Sequence, residues 1–280
     1  MSESSSTFLS RNQFLIYRLF SLSGLIPVGA FLAVHLLTNA SVTAGAGVFQ
    51  SRVDMIHSLG ESLLPVVEWL FIFLPMIFHA VVGFVIIGNG LPNVGSYPYV
   101  GNVRYTLQRA TGMIAFVFIM GHVIHLHWMG GPLGGGKFDP HAATSSAAVA
   151  IHPLLASILY AIGVLSAVFH FANGLWTLGI TWGLWTSPAA MRRANAVSLV
   201  VGLALAAAGL SSLVSLRGIG GDPGRLEQAR RIEENMNEDR ERRERLLEGE
   251  APARPTAPAV RRDAGDGPVR PVSRGDQTER

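Results

Sequence analysis

Pro153-Leu-Leu-Ala-Ser-Ile-Leu-Tyr-Ala-Ile-Gly-Val-Leu-Ser-Ala-Val-Phe-His-Phe-Ala-Asn-Gly-Leu-Trp-Thr-Leu-Gly-Ile180 runs on without one Lys, Arg, Asp or Glu. At 1.5 Å per residue it is long enough, as a helix, to cross the ~30 Å of hydrocarbon in a bilayer. It is continuous where a barrel strand would alternate, so the helical reading holds and the barrel reading falls. Four further runs of the same kind lie at 20–37, 63–88, 110–129 and 194–216. Together they define an all-α, integral membrane five-helix bundle.

Composition agrees. Hydrophobic residues make up 49% of the chain and charged residues 15%, against roughly 25% in soluble domains. Of the 22 basic and 19 acidic residues, 14 of each fall after position 216, leaving 8 and 5 for the first 216. Two regions follow: 1–216, a transmembrane anchor, and 217–280, a charged tail too poor in large apolar residues to bury a core and expected to be mostly disordered. Within the tail, charges at helical spacing predict a solvated helix over Arg225 to Leu247. The tail is charge-balanced, so the basic pI does not point to nucleic acid.

Arg11, Arg18, Arg104, Arg109, Arg192 and Arg193 flank one set of span ends, against Arg52 and Lys137 at the other before the tail begins. The asymmetry predicts a multi-pass protein of the cytoplasmic membrane with its N-terminus in the cytoplasm and its tail outside. The first thirteen residues lack the basic region of a cleaved signal, so span one is expected to stay as an anchor. Pro27 and Pro75 predict kinks in spans one and two, and Gly83, Gly112, Gly163, Gly174 and Gly202 permit close approach of helices or of a flat cofactor.

Four of the nine histidines stand well inside the runs, one on each of four spans: His35, His79, His122 and His170, with His125 and His127 crowding the end of span three. Ionisable residues in hydrocarbon are costly and need a partner or a role. Helical rise sets their depths. His35 lies 17 residues beyond Arg18 and His122 lies 13 beyond Arg109, roughly 20–25 Å from the inner face. His79 follows Leu63 by 16 residues and His170 follows Pro153 by 17, roughly 25 Å below the outer face. Two pairs at two depths result, His35 with His122 and His79 with His170.

Two neutral imidazoles per iron is the ligation of an electron-transferring b-type haem, supplied here from facing helices. The absence of cysteine excludes thiolate ligation and iron-sulfur clusters within this chain, and zinc wants three or four ligands at one level. His125, one turn from His122, is the rival ligand on span three; His57, His141 and His152 fall in loops or at a span edge. The alternative to a cofactor role is a transporter or scaffold in which the four imidazoles relay protons or hold helices together.

The stretches Tyr17-Arg-Leu-Phe-Ser-Leu-Ser-Gly-Leu-Ile-Pro-Val-Gly29, Phe73-Leu-Pro-Met-Ile-Phe-His-Ala-Val81, Leu107-Gln-Arg-Ala-Thr-Gly112 and Gly163-Val-Leu-Ser-Ala-Val-Phe-His-Phe-Ala-Asn-Gly-Leu-Trp176 resemble the cytochrome b558 subunit of succinate dehydrogenase and fumarate reductase. The likeness covers roughly residues 12 to 216. It implies a five-helix anchor with two haem b groups that docks a flavoprotein and an iron-sulfur subunit on its cytoplasmic side and exchanges electrons with menaquinone. It further implies His35 and His122 for the distal haem and His79 and His170 for the proximal one. Phe20 stands where relatives are expected to carry a histidine, and the tail has no counterpart. A cytochrome b subunit of a hydrogenase or formate dehydrogenase shares the bis-histidine logic but not these motifs.

Quinol oxidation releases two protons with its two electrons, so the distal site needs an acceptor. Glu68 is the one acidic residue well inside a run and is the candidate, in keeping with a carboxylate at a similar place in related anchors. Haem propionates need cations or hydrogen-bond donors, for which Arg18, Arg109 and Ser21, together with Arg104, lie at the inner ends of spans.

Overall fold

The computed structural model describes residues 8–58, 60, 63–88, 90, 92–128 and 136–248. Among these, all regular structure is helical. Span one is two helices, α1 (Phe8–Leu25) and α2 (Pro27–Ala40), joined at Ile26. Pro27 has no N–H to continue the ladder, which locates the break where the sequence predicts a kink. A 3₁₀ turn, Ser41–Ala44, and a short helix, α3 (Ala46–His57), follow. Span two comprises α4 (Leu63–Glu68), a π-helical turn Trp69–Phe73 and α5 (Leu74–Gly88). The π turn sits directly ahead of Pro75, where the missing donor loosens the helix.

Span three is α6 (Val100–Val123), ending in a second π turn, Ile124–Trp128. After the 3₁₀ turn Pro140–Ala142, α7 (Ala143–Ile151) leads into span four, α8 (Leu154–Thr181), and span five, α9 (Pro188–Gly220). The last helix among the described residues is α10 (Pro223–Leu247). Among the described residues five helices are long and apolar enough to cross a membrane: Arg11–Ala44, Leu63–Gly88, Val100–His127, Leu154–Thr181 and Pro188–Gly220.

Spans one, three and five are longer than the apolar runs. Span three starts ten residues early because Arg104 and Arg109 are satisfied by the protein itself: Arg104 donates to Asn173 and Asn195, Arg109 to the carbonyls of Gly90 and Ile86. An arginine with internal acceptors need not end a span.

Large aliphatic side chains face outward, among them Val117, Leu155 and Val200, whereas small and polar residues such as Gly163, Ser166, Ala167 and Asn173 lie buried between helices. That inside-out distribution suits a lipid-facing surface with close helix packing.

At the end of the bundle opposite Arg18, Arg104 and Arg109, α3, α7 and the turn after α2 cover the spans. Val42, Phe49, Val53, Ala147, Ile151, Leu216 and Ala229 form one apolar cluster there. Ala229 belongs to α10, and this corrects the expectation of a wholly solvated tail helix. Glu233, one turn on, is 2% exposed and its Oε1 accepts from the N–H groups of Thr144 (2.5 Å) and Ser145 (3.1 Å). Those are orphan donors of the first turn of α7, where a carboxylate meets the positive end of the helix dipole. The first 239 residues form one compact unit. In the second, Arg240–Arg280, the described part carries an Arg245–Glu241 pair at 3.9 Å. Of the 217–280 tail expected to be mostly disordered, the part up to Leu247 is largely helical, in the end of α9 and in α10, and 249–280 lie outside the described residues.

Candidate functional site

The two expected imidazole pairs meet. His35 of α2 and His122 of α6 have ring centroids 5.8 Å apart with planes at 77°. His79 of α5 and His170 of α8 stand 6.1 Å apart at 87°. Two imidazoles bound to opposite faces of one iron, each at roughly 2 Å, hold their centroids roughly 6 Å apart. Among the described residues no three of His, Asp and Glu gather into a cage for a bare ion. The donor set is therefore one of facing pairs, and it fits an iron porphyrin.

The His79–His170 pair is held by a construction repeated on two helices. His79 Nδ1 lies 3.0 Å from the Phe20 carbonyl, and His170 Nδ1 lies 3.0 Å from the Gln108 carbonyl. A carbonyl only accepts, so each Nδ1 carries the proton and each Nε2 keeps its lone pair for a metal. Four residues beyond each carbonyl stands a glycine. A Cβ on Gly112 would come within 2.8 Å of His170 Cε1, and one on Gly24 within 2.7 Å of His79 Nδ1. The helix thus offers a carbonyl at one turn and a bare backbone at the next, and the imidazole lies flat in that cradle. The Phe20 ring stacks on His79 at 4.3 Å, so the residue standing in place of an expected histidine supports a ligand candidate instead.

The His35–His122 pair is held by side chains. Tyr160 of α8 places its hydroxyl 3.0 Å from His125 Nδ1 and 3.4 Å from His122 Nδ1. Phe118 stacks on His122 and fills the space left by Gly163. His35 Nε2 accepts from Asn39 one turn on, at 3.1 Å, a bond that a metal at that nitrogen would displace. His122 is the histidine of span three that faces His35, while the rival His125 turns to Tyr160.

The separation of the two levels can be read twice within one helix. His122 stands 10 residues past Gly112 on α6, and Tyr160 precedes His170 by 10 on α8. Each corresponds to roughly 15 Å along a helix.

A polar chain reaches the first level from the arginine-rich end. Arg104 Nε donates to Asn173 Oδ1 (2.7 Å), Asn173 Nδ2 to Gln108 Oε1 (2.7 Å), and Gln108 Nε2 to the His170 carbonyl (3.1 Å). Arg104 also lies 4.0 Å above the Trp176 ring. Arg18 sits between the rings of Phe14 and Trp182. Ser21 is half-buried on the same helix. Arg109 is spent on the carbonyls that end α5 and on the Tyr105 ring. Glu68 pairs with His127 at 3.6 Å.

Sequence reasoning missed Gly24, Gln108, Asn173, Tyr160 and the Glu68–His127 pair. Only the spacing of a glycine four residues after Phe20 and Gln108 hinted at the cradles, and it becomes a signal once the facing histidines are known.

Five apolar spans carrying two facing imidazole pairs define the class: a multi-pass membrane anchor of the cytochrome b type. Over 209 residues the chain is 35% identical to the succinate dehydrogenase cytochrome b558 subunit of Bacillus subtilis (strain 168), an alignment that covers 72% of this chain and 96% of that protein. The chain belongs to the succinate dehydrogenase cytochrome b558 subunit family. No family model matches it.

Proposed function

We propose that residues 1–216 form the di-haem b anchor of a succinate dehydrogenase or fumarate reductase complex, passing electrons between an iron-sulfur subunit and menaquinone. The observation that carries this reading is the pair of centroid separations, 5.8 and 6.1 Å, between imidazoles of different helices. When bound, the two haems would supply one-electron carriers at two levels of the bilayer. His79 and His170 hold the proximal one, with Phe20 and Gln108 fixing their tautomers; His35 and His122 hold the distal one. Arg18 and Ser21 supply donors to propionates, and Arg109 is kept at the proximal level by its carbonyl contacts.

The arginine-rich end is the cytoplasmic side, where the flavoprotein and iron-sulfur subunits dock and where dicarboxylate chemistry takes place on the partner. The N-terminus is cytoplasmic, and the chain after α9 lies on the opposite side of the cytoplasmic membrane. Menaquinone reacts beside the distal level, and Glu68 exchanges its protons.

Purifying the complex and measuring haem, flavin and reduced-minus-oxidised spectra tests the proposal. Two b-type haems per flavin, with succinate-dependent menaquinone reduction, is the expected result. One haem or none, or a chain that copurifies without flavoprotein and iron-sulfur subunits, overturns it.

A further inference from the structure

Glu68 and His127 come from two spans that each carry a π turn at this place. Trp69–Phe73 begins at the residue after Glu68, and Ile124–Trp128 contains His127. A π turn adds a residue to a helical turn and re-aims every side chain beyond it by about 100°. It forms only where something repays its poorer hydrogen bonding. In span three part of that return is visible: the chain comes back at 136–138, and the N–H groups of Lys137 and Phe138 donate to the carbonyls of His125 and Leu126 at 3.1 and 3.2 Å. Those are carbonyls that the end of a helix leaves without a partner. The turn is pinned, and the pinning presents His127 Nε2 to Glu68 Oε2 at 3.6 Å.

Exposure is graded along the pair. The Glu68 side chain is 25% exposed and the His127 side chain 52%. The carboxylate is the more buried of the two and the imidazole the more exposed. Imidazole is the one side chain whose ordinary range allows it to take and release a proton at neutral pH. Of the other ionisable groups, His122 on the same span faces His35, His125 is turned to the Tyr160 hydroxyl, and Lys137 is exposed on the returning chain.

We propose that His127 is the proton relay of the quinone-reactive site, carrying protons between Glu68 and the aqueous phase. The inference rests on the reading of Glu68 given above. Oxidation of one quinol to quinone removes two electrons and two protons. The electrons leave through the anchor to the iron-sulfur subunit. The protons pass one at a time from a quinol oxygen to the Glu68 carboxylate, from the Glu68 carboxyl to His127 Nε2, and from the imidazolium to water. Quinone reduction runs the same transfers in reverse. Glu68 touches the substrate; His127 acts through Glu68.

The test uses the intact complex with H127A, H127Q and E68Q, each assayed for quinone-linked turnover across neutral pH, for succinate-to-dye turnover and for haem content. H127A is expected to slow quinone-linked turnover about a hundredfold, with haem content and dye turnover unchanged, and added imidazole is expected to restore it. H127Q, which keeps a polar side chain beside Glu68 but cannot carry a proton, is expected to be equally slow and not to respond to imidazole. Full-rate turnover in H127Q, or a slow H127A that imidazole does not rescue, overturns the relay. Full-rate turnover in E68Q overturns the Glu68 reading beneath it, whereas a slow E68Q beside a full-rate H127Q sinks the relay alone.

Discussion

Replacing Gly112 by alanine adds one methyl at the point where α6 meets the His170 imidazole. That methyl would stand 2.8 Å from Cε1 and 3.0 Å from Nδ1, closer than carbon and nitrogen tolerate without movement. The ring cannot swing aside freely, because its Nδ1–H is held at 3.0 Å by the Gln108 carbonyl and its Nε2 must face His79. Overpacking of this kind costs about 1–3 kcal/mol, and loss of the Nδ1–H bond adds about 1 kcal/mol if the ring rotates. A weakening of proximal haem retention by roughly ten- to a hundredfold follows from the lower part of that range. Haem counting and a potentiometric titration of the purified complex read the effect: one of the two b-type components should fall in occupancy or shift in midpoint, and the other should not. Gly83→Ala, whose methyl would meet Phe20 at an ordinary 3.6 Å, is the control and should leave both unchanged. Full occupancy and unaltered midpoints in Gly112→Ala would refute the cradle argument.

Tyr160→Phe removes the hydroxyl that accepts near His122 and His125; the loss of about 1 kcal/mol of hydrogen bonding should raise the midpoint of the distal haem by roughly 40 mV and spare the proximal one, as a redox titration will show. Glu233→Ala leaves the N–H groups of Thr144 and Ser145 without their acceptor, at a cost of about 1–3 kcal/mol. Limited proteolysis should then cut α10 sooner, with haem spectra unchanged.

What the sequence made legible was whatever stands out against an apolar background. Histidines in hydrocarbon are rare enough to be noticed, and the rise of a helix converts their positions to depths, so both pairs were found before any contact was seen. Span limits were read short for the same reason in reverse. Arg104 looked like a terminus because its acceptors, Asn173 and Asn195, are 69 and 91 residues away. Neither π turn has a compositional signature, so the meeting of Glu68 with His127 was out of reach. The docking of α10 was within reach: Leu226, Ala229, Ile232 and Glu233 repeat at three- and four-residue spacing, a narrow face hidden by the charges around it. Phe20 was seen only as a missing histidine, because a backbone carbonyl and a stacking ring leave no trace in the residue's identity.

The central claim is that iron is gripped by one imidazole from each of two helices, twice. Replacing His35, His79, His122 and His170 one at a time, and recording low-temperature reduced-minus-oxidised spectra of the purified complexes, tests it most directly. The account predicts only two phenotypes from the four variants: His35 and His122 replacements lose the same b-type component, and His79 and His170 replacements lose the other. Four variants that all keep both components, or a phenotype shared between His35 and His79, would contradict it.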